Sequence, residues 1–351
     1  MALPILSVCI NTRNRAGFLR ETLDSILVQL DDLIEVVVVD GASNDGTEQM
    51  LRDYVVKNAA VKYFRSEKPI GIDEGYDLAV EKASGRYCWM MTDDDLIAEG
   101  ALDRLMMEIE KGYDLILMEI DCYTKDMSVS LRQHLYQVGS DRVFTQENFQ
   151  EFWPVSGKGL SYIGSVLLRR SIWFEQDRTQ YYGSYFVHVG VILESSCITR
   201  ALIIGHPYIK YRSGNSSWTP RSFEIWNFKW PRLVWESTRL NAISKEDIVP
   251  REPWHRALSV LKSRAMGEYD LKTFKTWLAS RMAWERRIPF LLIALIPRTS
   301  LNFMLLLFCL VFRKSNPYTI YNLTVSNSYP RIAASISALM GVRFSSTSVA
   351  K

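Results

Sequence analysis

Short apolar runs alternate with segments of helical periodicity through the first 120 residues, and this alternation constrains the fold more than any other feature. The runs are rich in β-branched residues and have strand length, whereas the intervening segments repeat their apolar residues every three to four positions. Such alternation predicts an α/β fold, a mostly parallel sheet flanked by helices. The predicted strands span residues 5–10, 34–39, 61–64, 87–91 and 114–120, and the predicted helices span residues 18–30, 48–58, 73–83 and 102–110.

The pattern continues less regularly to about residue 219, and long amphipathic helices rich in tryptophan follow. We therefore predict two regions, an α/β domain over residues 1–219 and a helical extension over residues 220–351. The later elements predicted within the first region are a strand over residues 161–168, a helix over residues 187–194 and a strand pair over residues 201–211 around Pro207.

The helical extension is both basic and apolar. Residues 251–351 contain 15 lysines and arginines but only 4 aspartates and glutamates, in a chain whose formal net charge is +3. A basic region of this kind is typical of proteins that face an anionic partner, either phospholipid or nucleic acid. The accompanying leucine, isoleucine, phenylalanine and tryptophan residues favour a lipid surface, and we expect no nucleic-acid partner.

Residues 288–312 form the most apolar stretch, with Arg298 as its one charged residue and Pro289 and Pro297 as interruptions. Its clean part, residues 299–312, is too short to cross the roughly 30 Å hydrocarbon core as a helix. The flanking pairs Arg286-Arg287 and Arg313-Lys314 suit lipid headgroups. We predict an interfacial or re-entrant helical hairpin; a buried helix pair and a true membrane span are the alternatives.

The cysteines and the start of the chain indicate a compartment. The five cysteines form no CxxC pair and stand mostly in apolar runs, which predicts thiols in a reducing compartment. The first residues lack a basic segment followed by a long apolar one, so we expect no signal peptide. The predicted location is cytoplasmic, peripheral on the inner face of the cytoplasmic membrane.

Polar clusters follow three of the predicted strands. Residues 11–15 follow the first strand, residues 40–47 the second and residues 92–95 the one that ends at Met91. Ligands of parallel sheets bind outside the carboxyl ends of the strands. The three clusters therefore predict one site at one edge of the sheet.

The sharpest of these clusters is Thr92-Asp93-Asp94-Asp95. Three successive carboxylates beside a buried strand repel one another unless a cation neutralises them. Mg²⁺ or Mn²⁺ suits carboxylate oxygens and bridges readily to a diphosphate. An acidic helix cap is the alternative explanation, because aspartate is favourable at a helix start.

The first two clusters offer groups for a nucleotide. The Asp40 carboxylate can accept a hydrogen bond from an N–H of a nucleobase, and Thr12, Arg13 and Asn14 can touch the same ligand. An ordinary turn and a simple helix cap are the respective alternatives.

Taken in order, these segments resemble family 2 glycosyltransferases. The matching pieces are residues 7–14, residues 38–47, Gly71, residues 83–87 and residues 92–95. A looser likeness to the abequosyltransferase-type branch, which decorates lipid-linked O-antigen units, lies in residues 71–73, 87–89, 162–165 and 211–216. The resemblance implies a GT-A nucleotide-diphospho-sugar transferase fold, a nucleoside-diphosphate sugar donor and a lipid-linked glycan acceptor.

The resemblance also implies roles for individual residues. Thr12 and Asp40 would contact base and ribose, with Asp73 nearby, and Gly164 and Ser165 would line the acceptor side. Asp93 and Asp95 would form the D-x-D metal pair, with Asp94 as an alternative ligand. The family often has Asp where this chain has Thr92, so the sequence leaves the choice of ligand open. Arg212 would reach the diphosphate; a surface cation is the alternative.

The family's usual catalytic base is a carboxylate ahead of the helix predicted over residues 187–194. This chain has no acid there, and His188 is the titratable residue in that place. We predict His188 as the base, with a metal or diphosphate ligand and a structural histidine as alternatives. The departure leaves inverting and retaining transfer both open.

The predicted function is transfer of a hexose or deoxyhexose from a nucleoside diphosphate to a glycan hydroxyl. One rival is a sugar-nucleotide pyrophosphorylase, which usually carries a glycine-rich loop after the first strand. Residues 11–15 contain no glycine, which argues against that rival. The other rival is a non-catalytic membrane scaffold of the same fold.

Overall fold

One mixed sheet forms the centre of the computed structural model, which describes residues 3–312 and 316–330. Its strands are β1 (Leu6–Thr12), β2 (Ile34–Asp40), β3 (Val61–Arg65), β4 (Tyr87–Met91), β5 (Leu96–Ile97), β6 (Leu115–Tyr123), β7 (Arg142–Phe144), β8 (Val166–Arg169) and β9 (Ala201–Arg212). Their order in the sheet is β3-β2-β1-β4-β8-β6-β9-β5, and β7 pairs with β9.

The sheet combines parallel and antiparallel strand pairs. Strands β1 to β4 pair in parallel, because a crossover helix precedes each return to the sheet. Strand β8 is antiparallel to both β4 and β6, and β5 and β7 are antiparallel to β9. The expected mostly parallel sheet is thus a mixed one.

Helices accompany the strands along the chain. Those before residue 200 are α1 (Ala16–Leu27), α2 (Thr47–Lys57), α3 (Ile72–Lys82), α4 (Ala101–Glu110), α5 (Phe152–Ser156), α6 (Arg170–Trp173) and α7 (Val187–Glu194). Those after it are α8 (Ser222–Glu224), α9 (Trp230–Glu236), α10 (Ala242–Ile248), α11 (Ala257–Met266), α12 (Leu271–Thr273), α13 (Trp284–Leu295), α14 (Arg298–Phe312) and α15 (Pro317–Val325).

The strands predicted over residues 161–168 and 201–211 differ from the structure by more than their end residues. Residues 201–211 form the single strand β9 rather than a strand pair, and Pro207 lies between the residues that pair with β7 and those that pair with β5. The strand predicted over residues 161–168 begins only at Val166, because 3₁₀ turns occupy residues 159–161 and 163–165.

The core of the sheet is buried on both faces. All seven residues of β2 and all five of β4 are buried, as a sheet covered by helices on both sides requires. Helix α1 contributes Leu19, Leu23 and Ile26 to this core.

The chain divides into two compact units. The first comprises residues 1–121, 134–211 and 232–250 and contains most of the sheet; the second comprises residues 122–133, 212–231 and 251–351. Residues 232–250, assigned to the helical extension from sequence, thus belong to the first unit. The predicted boundary at residue 219 otherwise stays a prediction.

The second unit contains the apolar stretch predicted as a hairpin. Helix α13 packs Phe290, Ile293 and Ala294 into one hydrophobic cluster, and α14 packs Leu306 and Leu310 into another. Among the described residues no single helix has the length and hydropathy of a membrane span; α13 and α14 reach that hydropathy only together, as a pair bent by 87°. The predicted headgroup ligands Arg313 and Lys314 lie outside the described residues.

A close backbone approach before β4 can be tested by mutation. Gly85 donates its N–H to Ser7 Oγ at 2.8 Å, and Glu35 accepts from both Ser7 and Ser84. A Cβ at Gly85 would stand 2.7 Å from the Ser7 nitrogen.

We therefore expect Gly85→Ala to lower the free energy of unfolding by about 1–3 kcal/mol. Gly17→Ala is the control, since no atom lies within 4 Å of its added Cβ, and an alanine in α1 is neutral or stabilising. Urea denaturation of both variants checks this; equal stability of the two would contradict the backbone contact.

Candidate active site

Strand register brings the first and third polar clusters together. Thr12 and Asp40 are register partners at the ends of β1 and β2, and Ile10 pairs with Met91 at the end of β4. Asp93, two residues beyond Met91, therefore lies beside Thr12. The Thr12 hydroxyl donates to Asp93 Oδ2 at 2.8 Å.

The loops after β1 and β2 are hydrogen-bonded to each other. The Asn14 N–H donates to Ser43 Oγ, and the Asn44 N–H donates to Asn14 Oδ1, both at 2.8 Å. Asn14 (φ 54°) and Ala42 (φ 62°) adopt left-handed conformations, which non-glycine residues adopt at a cost and which concentrate at functional sites. Arg13, which directly precedes Asn14, is exposed.

Asp40 is fully buried and already engaged. Its carboxylate accepts from the Ser43 N–H at 2.8 Å, the Tyr63 hydroxyl at 3.1 Å and the Arg65 guanidinium at 2.6 Å. Sequence reasoning missed Arg65, although the parallel register of β2 and β3 pairs it directly with Asp40. Asp40 therefore stands at the predicted edge as half of an ion pair.

A guanidinium lies between two of the three successive aspartates. Arg15 Nε is 2.9 Å from Asp93 Oδ1, and the same side chain forms an ion pair with Asp94 Oδ2. All three side chains are 13–16% exposed. Burial raises the pKa of Asp93 to about 7, and the positive charge of Arg15 acts in the opposite direction.

Asp95 faces a different set of partners. It is 1% exposed, and its Oδ2 accepts from the hydroxyls of Tyr162 and Thr92. Its backbone carbonyl accepts from Thr22 at 2.8 Å. Of the triplet, Asp93 and Asp94 thus share one cation, while Asp95 anchors the turn that contains Tyr162.

That turn carries the residues predicted on the acceptor side. Gly164 and Ser165 are buried, the Gly164 carbonyl accepts from Trp89 Nε1 at 2.7 Å, and the Ser165 hydroxyl bonds Tyr136. A Cβ at Gly164 would meet the Tyr162 hydroxyl at 2.4 Å. The structure therefore places this turn against β4 and next to the acidic triplet.

Asp73 caps α7, the helix that contains His188. Its carboxylate accepts from the N–H groups of Tyr185 (2.9 Å) and Val187 (3.0 Å) at the start of α7. Tyr185 has a φ of 76°. Burial raises the pKa of Asp73 to about 6.

The profile of glycosyl transferase family 2 matches residues 7–172, which contain all three polar clusters. The predicted resemblance to family 2 glycosyltransferases is thus confirmed over residues 7–172. Abequosyltransferase RfbV of Salmonella typhimurium is 29% identical over 231 residues, which cover 61% of this chain and 68% of that protein.

A second relative matches a shorter part of this glycosyltransferase. The GalNAc(5)-diNAcBac-PP-undecaprenol beta-1,3-glucosyltransferase of Campylobacter jejuni is 30% identical over 112 residues, which span 32% of this chain and 36% of that protein. Among solved structures, S. aureus TarS 1-349 in complex with UDP superposes with a TM-score of 0.56 at 15% identity. The superposition covers 97% of this chain and 93% of the TarS chain, which confirms the predicted α/β fold of the transferase.

Two aspartates of the glycosyltransferase offer oxygen ligands of the kind that a divalent cation binds. Asp93 and Asp94 already hold a cation, the Arg15 guanidinium, between oxygen donors that suit Mg²⁺ or Mn²⁺. Among residues 3–312 and 316–330, no group of three or more histidine, cysteine, aspartate or glutamate side chains is gathered as a metal site. Asp93 and Asp94 face the Arg15 guanidinium, whereas Asp95 bonds Tyr162 and Thr92, and the metal stays a prediction.

His188 of the glycosyltransferase is completely buried in α7. Its Nε2 bonds the Leu160 carbonyl at 2.8 Å, which fixes the proton on Nε2. Nδ1 is buried with no hydrogen-bond partner among the described residues. Burial lowers the pKa of His188 to about 4. Its assignment as the base stays a prediction.

The remaining predicted residue, Arg212, ends β9 and belongs to the second compact unit. It is 3% exposed, and its guanidinium donates to the Lys125 carbonyl at 2.6 Å. Its role at a diphosphate also stays a prediction.

The five cysteines remain thiols, and all but Cys197 are buried.

The buried imidazole makes a pH-dependent contribution to stability. Because the folded pKa of about 4 lies below the unfolded value near 6.5, its contribution is present above pH 6.5 and lost as pH falls toward 4. From pH 7 to pH 5 this amounts to about 2 kcal/mol. We expect His188→Gln, which keeps a donor for Leu160, to abolish that part of the decrease.

Urea denaturation at both pH values measures the difference. His206→Gln, at an exposed histidine, is the matched control and should keep the wild-type decrease. Identical slopes in wild type and His188→Gln would disprove the assignment of a neutral buried imidazole.

Proposed function

We propose that this glycosyltransferase moves a hexose or deoxyhexose from a nucleoside-diphosphate sugar to a glycan hydroxyl, on a lipid-linked intermediate of a bacterial O-antigen or related polysaccharide. The observation that carries the proposal is the meeting of three loops at one sheet edge. Thr12 bonds Asp93, Arg15 pairs with Asp93 and Asp94, and the loops after β1 and β2 are bonded to each other.

The chemistry of the groups at this edge supports a donor site there. Asp40 with Arg65, and the loop residues Arg13 and Asn14, offer donors and acceptors for base and ribose. Mg²⁺ or Mn²⁺ would be held by Asp93 and Asp94. When bound, the cation neutralises charge on the departing nucleoside diphosphate. The complex of TarS with UDP-GlcNAc supports a nucleotide-sugar donor for a chain of this fold.

The adjacent turn and one relative support the proposed acceptor. The turn that holds Gly164 and Ser165 is joined to the acidic triplet through Tyr162 and Asp95. An acceptor hydroxyl there would lie beside the donor site. The name of the Campylobacter jejuni relative, a GalNAc(5)-diNAcBac-PP-undecaprenol glucosyltransferase, supports a lipid-linked glycan in that place.

A membrane surface is the partner proposed for the second unit. Helix α13 exposes Ile288, Leu292 and Leu295, and α14 exposes Met304, Phe308 and Val311; each of these side chains is at least 49% exposed. Both sets repeat at intervals of three and four, so each forms an apolar stripe along its helix. Such stripes with neighbouring arginines suit the headgroup boundary of an anionic leaflet, here the inner face of the cytoplasmic membrane.

Nucleoside diphosphate release tests the proposal. The full chain is incubated with Mn²⁺, an undecaprenyl-diphosphate-linked glycan and, in turn, UDP-, GDP-, CDP- and dTDP-sugars. We expect one donor class to give acceptor-dependent release of the diphosphate. Formation of nucleoside triphosphate from the sugar nucleotide and pyrophosphate would instead support a pyrophosphorylase, and no turnover with any donor would support a scaffold.

A further inference from the structure

The Arg15 guanidinium forms ion pairs with both the Asp93 and the Asp94 carboxylates. It is held there by the chain itself, because Arg15 directly precedes α1 and its carbonyl accepts from the Leu19 N–H at 2.9 Å. Its guanidinium carbon lies 5.1 Å from the centre of the Phe18 ring. The side chain therefore reaches Asp93 and Asp94 from a fixed helix start.

A divalent cation that binds Asp93 and Asp94 must compete with this guanidinium. The three side chains are only 13–16% exposed, so an arginine displaced by a metal ion alone would lose its two carboxylates in a poorly hydrated place. Breaking such a pair without replacing a partner is costly.

A diphosphate removes that cost. A guanidinium binds phosphate oxygens through two parallel donors as well as it binds carboxylates. If the donor and the metal bind together, the displaced Arg15 guanidinium can bind oxygens of the diphosphate. The two carboxylates can then bind the divalent cation in place of the guanidinium.

We infer that Arg15 is an internal competitor for the metal, which makes tight binding of the cation depend on the donor diphosphate. The inference rests on the proposed function, since it assumes that metal and donor share this site. Metal and diphosphate then raise each other's affinity by the same factor, because binding coupling is reciprocal. Removal of the guanidinium strengthens binding of the metal alone and weakens the coupling.

Titration with MnCl₂, followed by the electron paramagnetic resonance signal of the free ion, tests this directly. We expect Arg15→Met to bind Mn²⁺ alone at least about tenfold more tightly than wild type, since two carboxylates lose their competing charge. Arg15→Lys, which keeps the charge, should stay near wild type. Arg20→Met is the matched control, because it removes an exposed arginine of α1 and the same unit charge.

A second titration adds the diphosphate that the release assay identifies. It should tighten Mn²⁺ binding to wild type by a larger factor than binding to Arg15→Met. Unchanged or weaker binding of Mn²⁺ alone to a folded Arg15→Met, as judged by circular dichroism, overturns the inference. Wild type that still releases nucleoside diphosphate in that case leaves the proposed function standing, so the two failures are distinguishable.

Discussion

Asp94→Ala is expected to reduce kcat/KM for nucleoside diphosphate release by at least about 100-fold, the usual loss when a preorganised group for transition-state charge is removed. Asp94 is 16% exposed at the sheet edge, and its carboxylate is engaged by Arg15. Because Arg15 keeps its ion pair with Asp93 in this variant, the melting temperature should change by less than about 4 °C, the shift for roughly 1 kcal/mol. Steady-state release kinetics and a thermal melt measure the two effects.

Asp95→Ala is the comparison that separates chemistry from folding. Its removal leaves the Tyr162 hydroxyl and Thr92 without their shared acceptor in a buried place, which costs about 1–3 kcal/mol of stability. We therefore expect loss of activity together with loss of stability in Asp95→Ala, but loss of activity alone in Asp94→Ala. Full activity of Asp94→Ala, or of wild type in excess EDTA, would defeat the metal assignment.

The elements that sequence predicted best are those governed by local pattern. Strand β4 is predicted to the residue and helix α7 likewise, because their boundaries coincide with changes in apolar periodicity. The neighbourhood of Thr12 and Asp93 was also predictable, since parallel strands of known order end at one edge. The register of the strands was enough to predict that Thr12 and Asp93 lie close together.

What the sequence did not reveal depends on contacts between distant residues. Arg15 and Asp94 are 79 positions apart, and Tyr162 and Asp95 are 67 apart. No periodicity encodes which of several nearby arginines turns toward a carboxylate, or that Asp95 faces Tyr162 rather than Asp93. The complete burial of His188 and the division of β9 between two compact units likewise arise from tertiary packing.

The second prediction with a large expected effect concerns the exposed apolar stripes of α13 and α14. Removal of residues 288–351 would test membrane binding crudely, because it also removes residues that fill two hydrophobic clusters. Point substitutions on the exposed faces avoid this. We expect the triple variant Leu292→Glu, Met304→Glu, Phe308→Glu to lose at least about 100-fold in affinity for vesicles of anionic phospholipid, because each buried apolar side chain contributes about 1.5–3 kcal/mol to partitioning.

A second triple variant makes this prediction specific to the stripes. Val28→Glu, Val56→Glu and Met107→Glu replace side chains that are 60–87% exposed in the first unit and add the same negative charge. If general charge repulsion governed binding, both triple variants would lose affinity equally in vesicle sedimentation. If the stripes enter the headgroup region, only the first loses it, and the loss persists at high salt, because apolar burial is not screened. Equal retention by wild type and both variants would exclude the two helices as the membrane contact.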